Sequence, residues 1–540
     1  MSSPALSPGL ARPLHEDPRI HGRRWFLLAI MCLSLVLVVM SVSGLVTAIP
    51  TMQESLEASA SQIQWILDAY AVVFAGSLLT AGALGDRFGR KRALLTGLVV
   101  FGAGSIIAGV ASSASQVIAG RAVMGIGAAF VMPATLSIIT TIFPPEERGR
   151  AIAVWAGFAG AGGAIGPIVS GALLETFWWG SAVLVNLPLV AVTFVAIWTF
   201  APESRDEAET PLDPVGAGLS LVGLSALVYS IIQGGENGWT TTSVFVSAAL
   251  AIVTLGTFLA WERSREHPML PLEFFRNPRF SMGSGVITVA FFVMFGFFFL
   301  ATQYLQFGRG YSPLLAGVAL LPLPIMFVAL SPRSATLAAR FGAAPVMAAG
   351  LVIVATGFAI LSVLTPATPY VVLAAAFAVL GAGMSMTAAP ATNEIMSTVP
   401  PAKAGVGSAV NDTTRELGGA LGIAVLGSIA NGAYRAHVNL SGLHLLAGAR
   451  THAEDSIGAA AAIAGTVRSG AAISARAATA FTDAFNVASV VSIGIALVAA
   501  VTVLWFARRT RPEPEAVIDD FDLAELDLAL VPVGASEGTE

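Results

Sequence analysis

The chain is poor in most of what a water-soluble enzyme uses. Only 11% of its 540 residues are charged, against about 25% in soluble domains. Its single cysteine, Cys32, lies inside the first long apolar run, which excludes an internal disulfide. The six histidines (His15, His21, His267, His437, His444 and His452) all lie outside the apolar runs. That argues against a histidine-based metal or catalytic centre at membrane depth, and neither a metal nor a cofactor is expected. No cleavable signal peptide is evident. Residues 1–24 are polar and contain Arg12, Arg19, Arg23 and Arg24, and the run that follows is long enough to span a bilayer.

What remains is apolar. Hydrophobic residues make up 55% of the chain and the mean hydropathy is +0.79, as expected of an integral membrane protein. Runs of about twenty apolar residues are the length a helix needs to cross hydrocarbon. Fourteen are found, near 25–49, 62–84, 93–112, 115–141, 151–173, 181–200, 214–233, 242–261, 281–304, 313–332, 345–364, 369–390, 404–431 and 483–506. The predicted fold class is an all-α polytopic membrane protein.

The stretch Gly82–Arg92 (GALGDRFGRKR) joins the second and third runs and carries Arg87, Arg90, Lys91 and Arg92. Such a cationic stretch belongs on the cytoplasmic side. With both termini inside, only five of the 28 Lys and Arg fall outside (Arg309, Arg435, Arg450, Arg468 and Arg476), and two lie within runs, Arg121 and Arg415. This asymmetry sets the expected topology, a multi-pass protein of the cell membrane with cytoplasmic termini. Eight tryptophans at or near run ends agree with it: Trp25, Trp65, Trp178, Trp179, Trp198, Trp239, Trp261 and Trp505.

A short internal echo suggests a duplication. GDRFGRK at 85–91 resembles AARFGAA at 338–344, and each follows the second helix of a six-helix group. Two six-helix halves related by a parallel repeat are a known transporter plan. The expected division is a tail (1–24), a first bundle (25–200), two inserted helices with flanking loops (201–280), a second bundle (281–506) and an acidic tail (507–540). The second bundle includes a long outer segment, 432–482, rich in Ala and Gly and expected to be partly helical or mobile. Beyond Arg511 there are nine acids and no base, the composition of a disordered extension. The net charge of −5 says little about partners, since charge is concentrated in loops and tails. No nucleic-acid partner is expected, and a monomer is the default.

On these motifs the chain resembles the fourteen-helix drug:proton antiporter branch of the major facilitator superfamily. Gly82, Leu84, Asp86, Arg87, Gly89, Arg90 and Lys91 match that superfamily's inner-loop signature. Arg121, Gly125 and Gly127 are similar to its fourth-helix motif, and Gly162, Gly166, Pro167 and Gly171 resemble the fifth-helix pattern that marks antiporters. Asn411, Arg415, Gly418 and Gly419 resemble the branch's thirteenth-helix pattern. The resemblance implies two rocking six-helix bundles plus two linker helices, with protons, a lipophilic small molecule and the bilayer as partners. It also implies that Gly82, Asp86, Arg87, Gly89, Arg90 and Lys91 act as a cytoplasmic latch, Asp86 meeting the thirteenth helix near Gly405. The chain departs from the branch at Ser41, where the first helix usually has an acid, and at Val46, where it has an asparagine. Phe177, Trp178 and Trp179 stand where a Trp-Arg-Trp is usual.

Ionisable groups at membrane depth are costly and by default mark a pathway, a relay or a buried pair. Asp68 and Arg121 lie at depths differing by about one turn, close enough to pair or share a network, the alternative being that Arg121 ties helices together through hydrogen bonds. Asp412, Arg415 and Glu416 share one helical face by their spacings of three and four. A carboxyl in apolar surroundings takes up a proton readily and gives it up when an arginine approaches. Asp68 and Glu416 are therefore the leading proton carriers, followed by Asp412. Trp65, Phe291 and Phe295 are candidate cargo contacts, although the phenylalanines of the ninth run occupy nearly every face. The expected activity is proton-coupled efflux of lipophilic molecules. A rival is export of a lipid or cell-envelope precursor with weak or no proton coupling. Nutrient import fits the fifth-helix pattern poorly, and an intramembrane enzyme lacks a catalytic cluster.

Overall fold

The described residues, 14–58, 60–205, 213–266, 268–443, 445 and 447–509, form a computed structural model made of helices and their connections. In chain order the helices are α1 (Pro18–Ser55), α2 (Ala60–Phe88), α3 (Arg90–Gly109), α4 (Ala114–Ile142), α5 (Pro145–Leu174), α6 (Ser181–Leu184) and α7 (Asn186–Phe200). They continue with α8 (Pro214–Asn237), α9 (Thr242–Arg263), α10 (Pro278–Gln303), α11 (Pro313–Ala319), α12 (Pro322–Phe341) and α13 (Ala343–Leu361). The last are α14 (Tyr370–Thr398), α15 (Ala404–His437), α16 (Ala447–Asp455), α17 (Ile457–Ala464) and α18 (Gly470–Arg509). Among the described residues fourteen spans are long and apolar enough to cross a bilayer, the number read from the apolar runs. The polar residues before 14 and the acidic ones after 509 lie outside the described residues.

Helix starts follow local chemistry. Asp17, Ser113, Asp213, Asn277 and Ser312 each accept a backbone N–H of the following turn, and Pro18, Pro214, Pro278 and Pro313 stand at first helical positions. A side-chain cap satisfies a donor that would otherwise be orphaned, and proline loses nothing where its N–H had no partner. Two spans are interrupted. Val185 separates α6 from α7, and Leu320 and Leu321 separate α11 from α12, whose first residue is Pro322.

The structure redraws the Gly82–Arg92 stretch. It is not a loop: α2 runs to Phe88, α3 starts at Arg90, and Gly89 alone joins them with φ +112°. A side chain at that φ would be strained, so glycine allows the turn to be one residue long. Gly342 does the same between α12 and α13 with φ +86°. The likeness extends to side chains, since the Arg87 guanidinium lies 5.5 Å from the exposed Phe88 ring and Arg340 lies 5.2 Å from Phe341.

The packing repeats as well. α1 lies along α5 as α10 lies along α15, and α2, α3 and α4 pack together as α12, α13 and α14 do. The two groups meet along two seams, α5 against α12 and α2 against α15. α8 lies along α2, with Ser225 Oγ donating to the Val72 carbonyl at 3.3 Å and Tyr229 stacked on Trp65. It also touches α15, where Gly235 abuts Ala424. α8 therefore contacts both groups.

Between α15 and α18 the described residues are largely helical. α15 continues to His437, α16 and α17 follow, and α18 begins at Gly470. The buried Tyr434 hydroxyl donates to the Ala453 carbonyl at 3.0 Å, and Arg435 pairs with Asp455 at 3.6 Å. These contacts hold α16 against the end of α15.

Candidate functional site at the junction of the two groups

At one end of the α2–α15 seam, Asp86 is 3% exposed and its carboxylate accepts four hydrogen bonds. Its Oδ1 accepts from Arg90 Nε at 2.9 Å, Arg90 Nη2 at 2.8 Å and Gly405 N at 2.8 Å, while Oδ2 accepts from Val406 N at 3.0 Å. The last two are among the first amides of α15, which have no partner within their own helix and form its positive end. Arg90 completes the contact by donating to the Pro401 carbonyl at 2.5 Å and the Ala402 carbonyl at 3.3 Å. Gly82 sits against Gly405: a Cβ on Gly82 would lie 2.6 Å from the Gly405 carbonyl oxygen. Gly82, Asp86 and Arg90 thus face the other group. Lys91 instead donates to the Trp198 carbonyl at 2.8 Å, within its own group. Sequence reasoning missed Glu203, whose carboxylate accepts from Lys91 N at 3.2 Å and lies 3.6 Å from Arg92. An acid just past the end of the sixth run was the available signal.

Deeper along the same seam lies the charged face of α15. Asp412 is fully buried and Arg415 is 5% exposed, with Arg415 Nη2 at 3.8 Å from Asp412 Oδ1 and Nε at 3.9 Å from Glu416 Oε1. The sequence spacing brings these three together as expected. Tertiary packing then sets them between the groups: Arg415 Nη2 lies 3.8 Å from Met132 Sδ of α4, and the guanidinium lies 5.4 Å from the Phe291 ring of α10. Asn411 donates to Asp412 at 3.4 Å and accepts from Thr392 at 3.1 Å. Asp412 Oδ2 is buried with no hydrogen-bond partner, and such a group in a protein interior calls for an explanation.

Of the two relations open to Asp68 and Arg121, direct pairing is not seen among the described residues. Arg121 is 1% exposed; its Nε donates to the Ile66 carbonyl at 3.1 Å and its guanidinium lies 4.4 Å from the centre of the Tyr70 ring. Among the described residues no ion pair links it to Asp68. The reason is helical phase. Two residues apart on a helix means about 200° of rotation, so the face carrying Tyr70 toward α4 carries Asp68 away from it. Asp68 lies between Trp65 and Val72, both in contact with α8, and is half-buried there. Tyr70 escaped the sequence reading, which sought carboxylates and arginines at membrane depth, although it stands two positions from Asp68.

The glycine-proline segment of α5 divides its work between two neighbours. Gly162 and Gly166 pack on α1, where a Cβ on Gly166 would lie 2.6 Å from the Met40 carbonyl oxygen and 2.7 Å from Gly44 N. Pro167 and Gly171 face α11 of the other group, against Gly317 and Leu314. Because backbone atoms cannot step aside as a side-chain tip can, Gly166→Val is expected to lower stability by about 1–3 kcal/mol. A drop in the melting temperature of the purified protein checks this, and an unchanged melting temperature would contradict the close packing. Gly163, where a Cβ would meet nothing within 4 Å, should accept alanine without such a drop.

The aromatic candidates separate. Phe291 lies beneath Arg415 and edge-on to Phe295, with ring centroids 5.6 Å apart. Trp65 is stacked on Tyr229 at 5.6 Å, over the α2–α8 contact. Phe297 is buried among Phe298, Phe358 and Phe377 and belongs to the core. An apolar groove of about 610 Å³ runs between α10 and α18, lined by Met282, Gly285, Val289, Gly494, Val498 and Phe506 among others. Both its walls belong to one group, so it is not an opening between the two.

Comparison with known proteins places this geometry. A family model described as Major Facilitator Superfamily matches residues 31–423. The multidrug efflux pump LfrA of Mycolicibacterium smegmatis is 35% identical over 447 residues, covering 83% of this chain and 88% of that protein. The methyl viologen resistance protein SmvA of Salmonella typhimurium is 33% identical, covering 77% and 85%. The tetracenomycin C resistance and export protein of Streptomyces glaucescens is 31% identical, covering 76% of each. Among solved structures, the human organic anion transporter MFSD10 superposes with a TM-score of 0.57 at 14% identity, covering 89% of this chain and all of that one.

Proposed function

The chain belongs to the Major Facilitator Superfamily, a family of multi-pass membrane transporters, and on that premise we propose that it exports lipophilic small molecules in exchange for protons. The observation that carries this reading is the charged face of α15, held between the two groups in spans otherwise nearly free of charge. Efflux and resistance proteins among the relatives support the direction of transport. The bias of Lys and Arg toward one side supports cytoplasmic termini.

Residues 25–200 and 281–506 rock about cargo held near the midplane, beside Phe291 and Arg415. The arrangement described above is closed at the Asp86 end, so that Asp86, Arg90 and the first amides of α15 latch the cytoplasmic side. Glu416 and Asp412 neutralise Arg415 while ionised. Protonation of one of them frees part of the Arg415 charge and weakens the seam; reopening to the other side returns the proton. Asp68, half-buried beside α8, is a further proton acceptor, acting apart from Arg121. Ser41, whose hydroxyl donates to the Val38 carbonyl at 2.8 Å, leaves α1 without a carboxylate in this exchange.

The test is ethidium transport in proteoliposomes under an imposed pH gradient, comparing wild type with Glu416→Gln, Asp412→Asn and Asp68→Asn. Glu416→Gln is expected to lose coupled transport by about tenfold to a hundredfold, the effect of removing a charge-assisted contact. Full coupled transport in all three variants would reject these carriers. Wild-type transport indifferent to the pH gradient would reject antiport itself and favour export of a lipid or cell-envelope precursor.

A further inference from the structure

The groove between α10 and α18 has no part in the scheme above. Beyond one end of it, Tyr304, just past α10, stacks on Phe485 of α18 with ring centroids 5.3 Å apart. The groove runs from Val289 and Val491 to Ser281 and Phe506, along about 12 Å of α10 and about 22 Å of α18 at 1.5 Å per residue. The hydrocarbon of one leaflet is about 15 Å deep, so the groove is roughly one leaflet long. Val286 and Val503 are buried in its floor, while Gly285 and Gly494 are exposed on it, and a Cβ on either glycine would meet nothing within 4 Å. Glycine inside a helix costs about 1 kcal/mol relative to alanine. At Gly82 and Gly166 a close helix contact accounts for it; at Gly285 and Gly494 no such contact does. The hydroxyls on the walls, Ser281 and Thr502, already donate to the Phe275 carbonyl at 2.6 Å and the Val498 carbonyl at 2.8 Å. The interior therefore suits an apolar chain and offers little to a polar ligand.

The mouth of the groove is cationic. Gly418 abuts Thr288 and Gly422 abuts Phe292, so α10 runs parallel to α15 and starts at the end where Asp86 meets Gly405. The bond from Ser281 to the Phe275 carbonyl seats the turn Leu272–Arg276 beside the mouth. Arg276 and Arg279 are exposed there, and α18 ends in Arg508 and Arg509. Glu273 of the turn and Glu394, 3.9 Å from Arg279, offset part of this charge. We propose that the groove binds an acyl chain of an anionic phospholipid from the leaflet on the Asp86 side, its phosphate lying against the arginines at the mouth. Basic sites between helix ends recognise anionic head groups in this way. A lipophilic cation would match the apolar walls but not the charge at the mouth. The acyl chain covers Gly285 and Gly494 and sets the spacing of α10 from α18; α10 also carries Phe291 beneath Arg415, so the lipid steadies one wall of the junction. The proposal stands independently of proton exchange.

The test titrates the delipidated full-length protein in detergent with dioleoyl phosphatidylglycerol or dioleoyl phosphatidylcholine, read by native mass spectrometry and by melting temperature. Wild type is expected to retain phosphatidylglycerol with about a tenfold preference over phosphatidylcholine, and its melting temperature should rise as that lipid binds. Gly285→Leu with Gly494→Leu places side chains where a Cβ meets no neighbour. This double variant should bind phosphatidylglycerol about tenfold more weakly while keeping the lipid-free melting temperature of wild type. Arg276→Gln with Arg279→Gln leaves the groove open and should bring the two lipids close to equal binding. Wild-type affinity in the leucine variant would overturn the proposal. So would equal binding of both lipids by wild type, which would mark ordinary bilayer contact only. Displacement of phosphatidylglycerol by ethidium, or its loss as the protein dimerises, would assign the groove to cargo or to a second copy and overturn it as well.

Discussion

Asp86→Asn is expected to release the closed end of the α2–α15 seam. The carboxylate accepts four hydrogen bonds from Arg90 and the amides of Gly405 and Val406. An asparagine in its place has one carbonyl oxygen, no charge, and an amide N–H that faces donors. Arg90 is then left 2% exposed without its anion. Breaking a buried pair by removing one partner costs about 3–5 kcal/mol, which corresponds to a shift of roughly 10²–10⁴ between closed and open ends. Because the Gly405 and Val406 amides have no acceptor within α15, hydrogen–deuterium exchange over residues 401–412 should rise strongly in the variant, and driven transport should fall with it. Asp86→Glu tests geometry at constant charge and should recover only part of the protection. Exchange in Asp86→Asn equal to wild type would show that the contact does not hold this end shut.

The second large effect concerns Arg415. Arg415→Met keeps an unbranched apolar stem beside Met132 and Phe291, shorter than arginine, but strips Asp412 and Glu416 of their cation. A carboxylate as buried as Asp412 cannot stay ionised alone, so both acids hold their protons and exchange stops. Transport driven by a pH gradient should fall about a hundredfold or more, and the melting temperature should drop. Adding Asp412→Asn removes the stranded acid, so the double variant should regain stability without regaining coupling. A single variant that couples normally would remove α15 from the proton path. A double variant that recovers both stability and coupling would reduce Arg415 to a structural counter-ion.

Much of the architecture was legible in one dimension. Apolar run length predicted fourteen spans, and fourteen helices long and apolar enough to cross a bilayer are found among the described residues. The Arg-Phe-Gly echo predicted a repeat at two matching helix junctions, and Gly89 and Gly342 adopt the same positive φ there. The spacing of Asp412, Arg415 and Glu416 placed them on one face, where Arg415 lies near both acids. The Ala- and Gly-rich segment between α15 and α18 was less legible, because composition alone does not separate short helices from loop. Three-dimensional packing settles it through the contacts of Tyr434 and Arg435.

The division has one physical cause. Hydrocarbon acts on each residue separately: it demands apolar runs of fixed length, helical backbone, and charge confined to ends or partners. Those demands are written locally, so the sequence by itself determined the span count, the cationic side and the shared face on α15. Which faces of two helices meet is a different question, since lipid is about as apolar as leucine and close packing and interhelical hydrogen bonds choose the contact. Tertiary structure alone therefore decided that Arg121 rests on Tyr70 and not Asp68. It also decided that Asp86 meets the amides of Gly405 and Val406, 319 and 320 residues away along the chain.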